Sequence, residues 1–171
     1  MSETQAPDYL DGVAADVLRA AVERDLRLAT AESCTGGLLS ALLTDVEGLS
    51  HAFERGFVVY DEQAKVEMLG LDPARLKAEG AVSDWAARAM AEGALAHSRA
   101  DLAIAITGFA GKGQKEGDEE GLVHMAVARR SRDTASTIEH LRASYGACGR
   151  AEVRAQAAEA ALKLACAMLS D

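Results

Sequence analysis

LRLATAESCTGGLLSALLTDV, residues 26–46, carries the clearest sign of the chain's architecture. Leu26 to Ala31 reads as a short strand. Gly36 to Val46 follows as a tight turn leading into an apolar helix that Gly48 would terminate. A strand passing through a glycine turn into a helix is the opening of a parallel crossover, and the flanking segments extend the same pattern.

Upstream, Leu10, Val13, Ala14, Val17, Leu18 and Ala21 have the three-and-four spacing of an amphipathic helix over Tyr9 to Glu23. Downstream, Gly56 to Tyr60 is a β-rich run bounded by glycine and Asp61, and Asp61 suits the cap of a helix reaching Leu69. Ser83 heads a further helix to about Ser98. Asp101 to Thr107 is an apolar strand of the kind covered on both faces. Residues 108–121 form a polar, glycine-rich mobile-loop candidate, longer than the usual connection. Leu122 to Arg130 and Thr134 to Leu141 read as two strands joined at Ser131-Arg132-Asp133, and Arg150 to Leu169 is the closing helix. This order predicts one α/β domain over residues 1–171, a three-layer α/β/α sandwich with a mixed, mainly parallel sheet. The C-terminal ends of its first three strands would share the edge where such sheets bind ligands.

With 171 residues, 49% hydrophobic and 26% charged, the chain has the size and composition of a single globular domain. Its formal net charge of −9 argues against nucleic acid or an anionic membrane as partner, because both require clustered cations. Met1 to Asp11 has neither the basic nor the apolar region of a secretory signal, and no stretch has the roughly 18 apolar residues of a membrane span. A cytoplasmic protein is expected. Cys34, Cys148 and Cys166 are odd in number and without CxxC spacing, and HxH and HExxH are absent, so no disulfide framework, metal or cofactor is expected. The alanine-rich helices make a homo-oligomer the expected assembly.

Three strand ends carry chemistry: Ser33 and Thr35 after the first, Tyr60 and Lys65 beyond the second, and Thr107 with Gly108 at the third. A serine on a strand-to-helix turn can be a nucleophile, and the amides near Thr35, Gly36 and Gly37 could bind an oxyanion. The same residues suit a simple helix cap or a phosphate cradle, although GxxxxGK[ST] and GxGxxG are both missing. None of the four histidines forms a recognisable triad, which leaves Lys65 as base and Tyr60 as a group to relay a proton or orient the amine. A neutral lysine requires burial, and each pKa unit of lowering costs about 1.4 kcal/mol. The plainer readings are a solvated Lys65 paired with Glu62 and a Tyr60 that caps the core. Cys34 is a competing nucleophile or a small buried hydrophobe. Arg150 and Arg154 share a helix face and form either a phosphate clamp or a surface pair with Glu152 and Glu159. His124 alternates against Val123, Met125 and Val127 and reads as structural.

TAESCTGG (30–37), FERGFVVYDEQAK (53–65), GAVSDWAARAMAEGAL (80–95), AIAITGFAG (103–111) and GLVH (121–124) resemble the C-terminal domain of the competence/damage-inducible protein CinA. Free-standing, that domain resembles the nicotinamide-nucleotide amidohydrolase PncC. The resemblance implies hydrolysis of the carboxamide of nicotinamide mononucleotide to nicotinic acid mononucleotide and ammonia, for pyridine-nucleotide recycling. It implies Ser33 as nucleophile with Lys65 and Tyr60, Thr107 in the pocket and Arg150 as a ligand contact. Members commonly continue GxAGP and carry KPVG before the next strand, whereas this chain reads GFAGKGQKEGDEEGLVH. Substrate preference is therefore expected to hinge on the 108–121 loop, and the alternatives are hydrolysis of another carboxamide or a non-catalytic nucleotide-binding module.

Overall fold

The computed structural model describes residues 9–113, 117–131 and 135–170. In chain order the elements are α1 (Tyr9–Glu23), β1 (Leu28–Glu32), α2 (Leu38–Thr44), a 3-10 turn (Ser50–Ala52), β2 (Phe53–Val58), α3 (Glu62–Leu69), α4 (Pro73–Glu79), α5 (Asp84–Ala96), β3 (Leu102–Gly108), β4 (Leu122–Arg129), β5 (Thr137–Ser144) and α6 (Arg150–Ser170). The five strands form one sheet in the order β2-β1-β3-β4-β5. β1 runs parallel to both β2 and β3, while β4 is antiparallel to β3 and to β5. The sheet is thus mixed with one reversed strand, in agreement with the expected α/β sandwich.

Alternation along the strands sorts the core into two layers of different texture. Leu28, Leu102, Ile104, Ile106, Met125 and Val127 project to one side, where α1, α2 and α6 cover them. Ala29, Ala31, Ala103, Ala105, Ala126 and Ala128 project to the other, under α5 and the leucines of α3 and α4. The alanine face lets α5 lie close. A Cβ on Gly93 of α5 would stand 2.3 Å from the Leu69 carbonyl oxygen, so glycine is required for the α3–α5 approach. Among the described residues no helix is long and apolar enough to cross a membrane.

Local signals placed most elements, and the differences have identifiable causes. β2 starts at Phe53, so Gly56 lies inside the strand and does not bound it. A Cβ there would come within 2.4 Å of Ser40 Oγ and 2.8 Å of Thr30 Oγ1, so the glycine admits α2 against the strand. α4 occupies a stretch for which no element is expected, opened by Pro73 after Asp72, whose side chain accepts from the Arg75 amide. β5 extends to Ser144 because β4 offers it partners down to Leu122. Arg132 and Asp133 of the connection expected at Ser131-Arg132-Asp133, the middle of the 108–121 loop at 114–116 and the N-terminal residues 1–8 lie outside the described residues.

Candidate active site

After β1 the chain connects to α2 on one face of the sheet, and after β2 to α3 on the other. The C-terminal ends of these neighbouring strands therefore flank a crevice of the sort that holds ligands in α/β sheets. A cavity of about 520 Å³ opens there, lined by Ser33, Cys34, Tyr60, Lys65, Thr107, Gly108 and Arg150 together with parts of residues 80–82 and 109–113. It is large enough for a small organic ligand of nucleotide size.

Ser33 continues the sheet for one residue beyond β1, its amide donating to the Ile106 carbonyl at 3.0 Å. The backbone then turns through Gly36 (φ 59°) and Gly37 (φ 97°), both in the left-handed region that favours glycine. Neither Ser33 nor Thr35 caps α2. The N-cap residue is Gly37, which has no side chain to offer, and the helix amides go instead to Glu32, a buried carboxylate. The Gly37 and Leu39 amides donate to Glu32 Oε2 at 3.1 and 3.0 Å, and the Ser40 amide to Oε1 at 2.8 Å.

Lys65 lies in α3, whose start is fixed by Asp61 accepting from the Ala64 amide at 2.7 Å. Only 1% of Lys65 is exposed. Its Nζ is 3.0 Å from Ser33 Oγ, 2.8 Å from the Val59 carbonyl and 3.4 Å from the Asp61 carbonyl, with no carboxylate among its partners. The solvated pair with Glu62 is not formed. Burial pushes the Lys65 amine below the ordinary lysine range, and the carboxylate of Asp61 opposes this only in part. A neutral amine has two N–H bonds and one lone pair. In that form the two carbonyls receive the hydrogens and the lone pair faces the Ser33 hydroxyl, whereas the charged form would donate to all three oxygens.

Cys34 lines the same cavity but is not activated. Burial pushes its thiol up to about 11, which leaves it protonated at neutral pH. Tyr60 stands past the end of β2 and is 65% exposed at the cavity rim. The amine's hydrogen-bond partners on this side are the Val59 and Asp61 carbonyls. Thr107 is buried and donates to the Ala81 carbonyl at 2.6 Å, tying the cavity wall at 80–82 to the end of β3. Gly108 is required by packing, since a Cβ would sit 2.7 Å from the Leu122 carbonyl oxygen.

Three placements differ from the sequence expectation. Thr35, Gly36 and Gly37 do not line the cavity, and the Gly36 amide is engaged with the Ser33 carbonyl at 3.1 Å. Among the described residues of this turn, the Thr35 amide has no acceptor and the Cys34 amide meets only its own thiol. The two arginines on one helix face separate in function. Arg150 reaches the cavity, whereas Arg154 Nε donates to the Thr35 carbonyl at 3.0 Å and braces the turn from α6. His124 faces the α5 side of the sheet as expected, but it is not solitary: its Nδ1 lies 3.0 Å from His140 Nε2. Glu32 is the contributor that sequence reasoning missed, while Arg154, singled out as a clamp or a surface residue, takes neither role and braces the turn. A glutamate inside an otherwise apolar strand was the available signal for Glu32, because a buried carboxylate demands donors.

The family model of the CinA C-terminal domain matches residues 10–169 of this chain. The chain belongs to the CinA C-terminal domain family. Among relatives, a CinA-like protein of Chlorobaculum tepidum is 46% identical over 127 residues, covering 74% of this chain and 30% of that protein. The chain spans about a third of the length of the curated relatives it matches. Among solved structures, the competence/damage inducible protein CihA of Agrobacterium tumefaciens superposes with a TM-score of 0.90 at 38% identity over 100% of both chains. The competence damage-inducible protein A (ComA) of Klebsiella pneumoniae gives 0.87 at 34% identity over 94% of this chain and 97% of that one. The CinA-type stretches meet at the cavity: 30–37 supplies the Ser33 turn, 53–65 delivers Lys65, and 103–111 provides Thr107 and the following wall.

Proposed function

We propose that this chain is an amidohydrolase that removes the carboxamide nitrogen of nicotinamide mononucleotide, giving nicotinic acid mononucleotide and ammonia. One observation carries the reading: a buried lysine amine without a carboxylate partner, 3.0 Å from a serine hydroxyl at the wall of a nucleotide-sized cavity. Ser33 Oγ attacks the amide carbon while the Lys65 amine takes the hydroxyl proton. The carbonyl oxygen becomes an oxyanion, for which the amide of Cys34, a residue of the cavity lining, is the backbone donor, worth about 3 kcal/mol when well aimed. Lys65 returns its proton to the departing nitrogen as the C–N bond breaks, and ammonia leaves. Water then attacks the acyl ester, again deprotonated by Lys65, releasing the carboxylate and restoring the serine. Arg150 at the rim supplies the charge for the ligand's phosphate.

Ammonia release from nicotinamide mononucleotide and from a panel of other carboxamides tests the reading. Ser33→Ala and Lys65→Ala are expected to stay folded and lose turnover. Normal turnover in either variant refutes the mechanism. Stabilisation of the wild type by the mononucleotide without ammonia release would refute the activity and leave a binding module.

A further inference from the structure

We infer that Glu32 is a positioning residue for Ser33, a buried anion that occupies the N-terminal amides of α2 and thereby holds the nucleophile against Lys65. The inference rests on the proposed role of Ser33. Glu32 is wholly buried and directly precedes the serine. Besides the three amides it accepts a fourth donor, Ser40 Oγ, at 2.6 Å, and Thr30 Oγ1 stands 2.7 Å behind that hydroxyl. The bare Cα of Gly56 leaves room for this pair of hydroxyls.

The turn between Ser33 and α2 contains two adjacent glycines and a helix whose cap residue has no side chain, so its local geometry is weakly determined by its own residues. The carboxylate supplies the missing restraint. It is bonded to Gly37, Leu39 and Ser40 on the far side of the turn, while the Ser33 amide is anchored to β3 on the near side. Ser33 is thus held from both ends. Glu32 does not line the cavity and is not a hydrogen-bond partner of Lys65, so it reaches the chemistry only through the serine's position.

An ionised carboxylate only accepts hydrogen bonds, and both oxygens are committed to donors. Glu32→Gln keeps the volume but points N–H at N–H on one side of the bracket. Glu32→Asp keeps the charge but is one methylene too short to hold both sides. The probe is the rate at which a small fluorophosphonate modifies Ser33, followed by mass spectrometry across pH, alongside kcat and KM for carboxamide hydrolysis. Both variants are expected to fold and to be labelled at least about tenfold more slowly, since a misplacement of about 1 Å can cost on the order of a hundredfold. The pH midpoint of labelling should stay where Lys65 sets it, with kcat reduced and KM unchanged. If E32Q fails to fold, E32D carries the test. Wild-type labelling in a folded variant, or a loss confined to KM, overturns the positioning role alone. A wild-type protein that is never labelled at Ser33 overturns the nucleophile and, with it, this inference.

Discussion

Replacing Lys65 by methionine separates the cost of burying an amine from the use made of it. Burial lowers the folded-state pKa below the ordinary 10.5 of lysine. Between that lowered value and 10.5 the unfolded chain binds one proton more than the folded chain, so wild-type stability rises with pH by about 1.4 kcal/mol per unit. Methionine has nothing to titrate. It fills nearly the same volume but leaves the Val59 carbonyl, now bonded at 2.8 Å, without its donor, a pH-independent cost of about 1–3 kcal/mol. Relative to wild type the variant should therefore lose stability at about 1.4 kcal/mol per pH unit between the lowered value and 10.5, and be the less stable protein by about pH 10.5. Urea unfolding of both proteins in steps from about pH 7 to pH 10.5 gives the difference directly, because other titrating groups are common to both and cancel. A difference independent of pH would mean that Lys65 is folded in its charged form, and the proposed base would be untenable.

Two further outcomes follow from the titratable groups around the site. With its thiol held at about 11 and only 6% of the residue exposed, Cys34 should resist iodoacetamide at pH 8 while exposed Cys148 reacts, and Cys34→Ala should retain ammonia release. Rapid alkylation of Cys34, or an inactive C34A, would return it to contention as nucleophile. His124 and His140 both lie below the ordinary 6.5, chiefly through burial, with Arg142 and Arg88 adding to the effect and Asp84 opposing it. As pH falls through 6.5 the unfolded chain protonates first, so the pair should cost stability toward acid at up to about 2.7 kcal/mol per pH unit. His140→Asn should make the loss between pH 7 and pH 5 shallower. An unchanged pH dependence in that variant would show that His140 binds its proton equally well in the folded and unfolded chains, against the effect of burial.

Much of the architecture was legible because its signals are local. The helix spacing of Tyr9–Glu23, the caps Asp61 and Ser83, and the Ala-Ile-Ala-Ile alternation of β3 each act within a few residues of where they appear. A glycine inside β2 misled the reading of its boundary, because the reason for that glycine, the approach of Ser40 and Thr30, comes from other elements. The stretch at Asp72-Pro73 carried an ordinary helix start, yet α4 is too short for periodicity to announce it.

Readable along the chain were a strand ending at a serine-bearing glycine turn, Lys65 on the helix after the next strand and, through family motifs, the association of the two. Tertiary structure decided what each group does. It assigned the α2 amides to Glu32 in preference to a ligand, set Arg154 against the Thr35 carbonyl while Arg150 reaches the cavity, and gave the amine two carbonyls to orient it. The reason is physical. Periodicity and capping are settled by near neighbours in the chain, whereas donor meets acceptor only after sheet order has brought distant segments together, as it brings Arg154 to a turn 119 residues earlier.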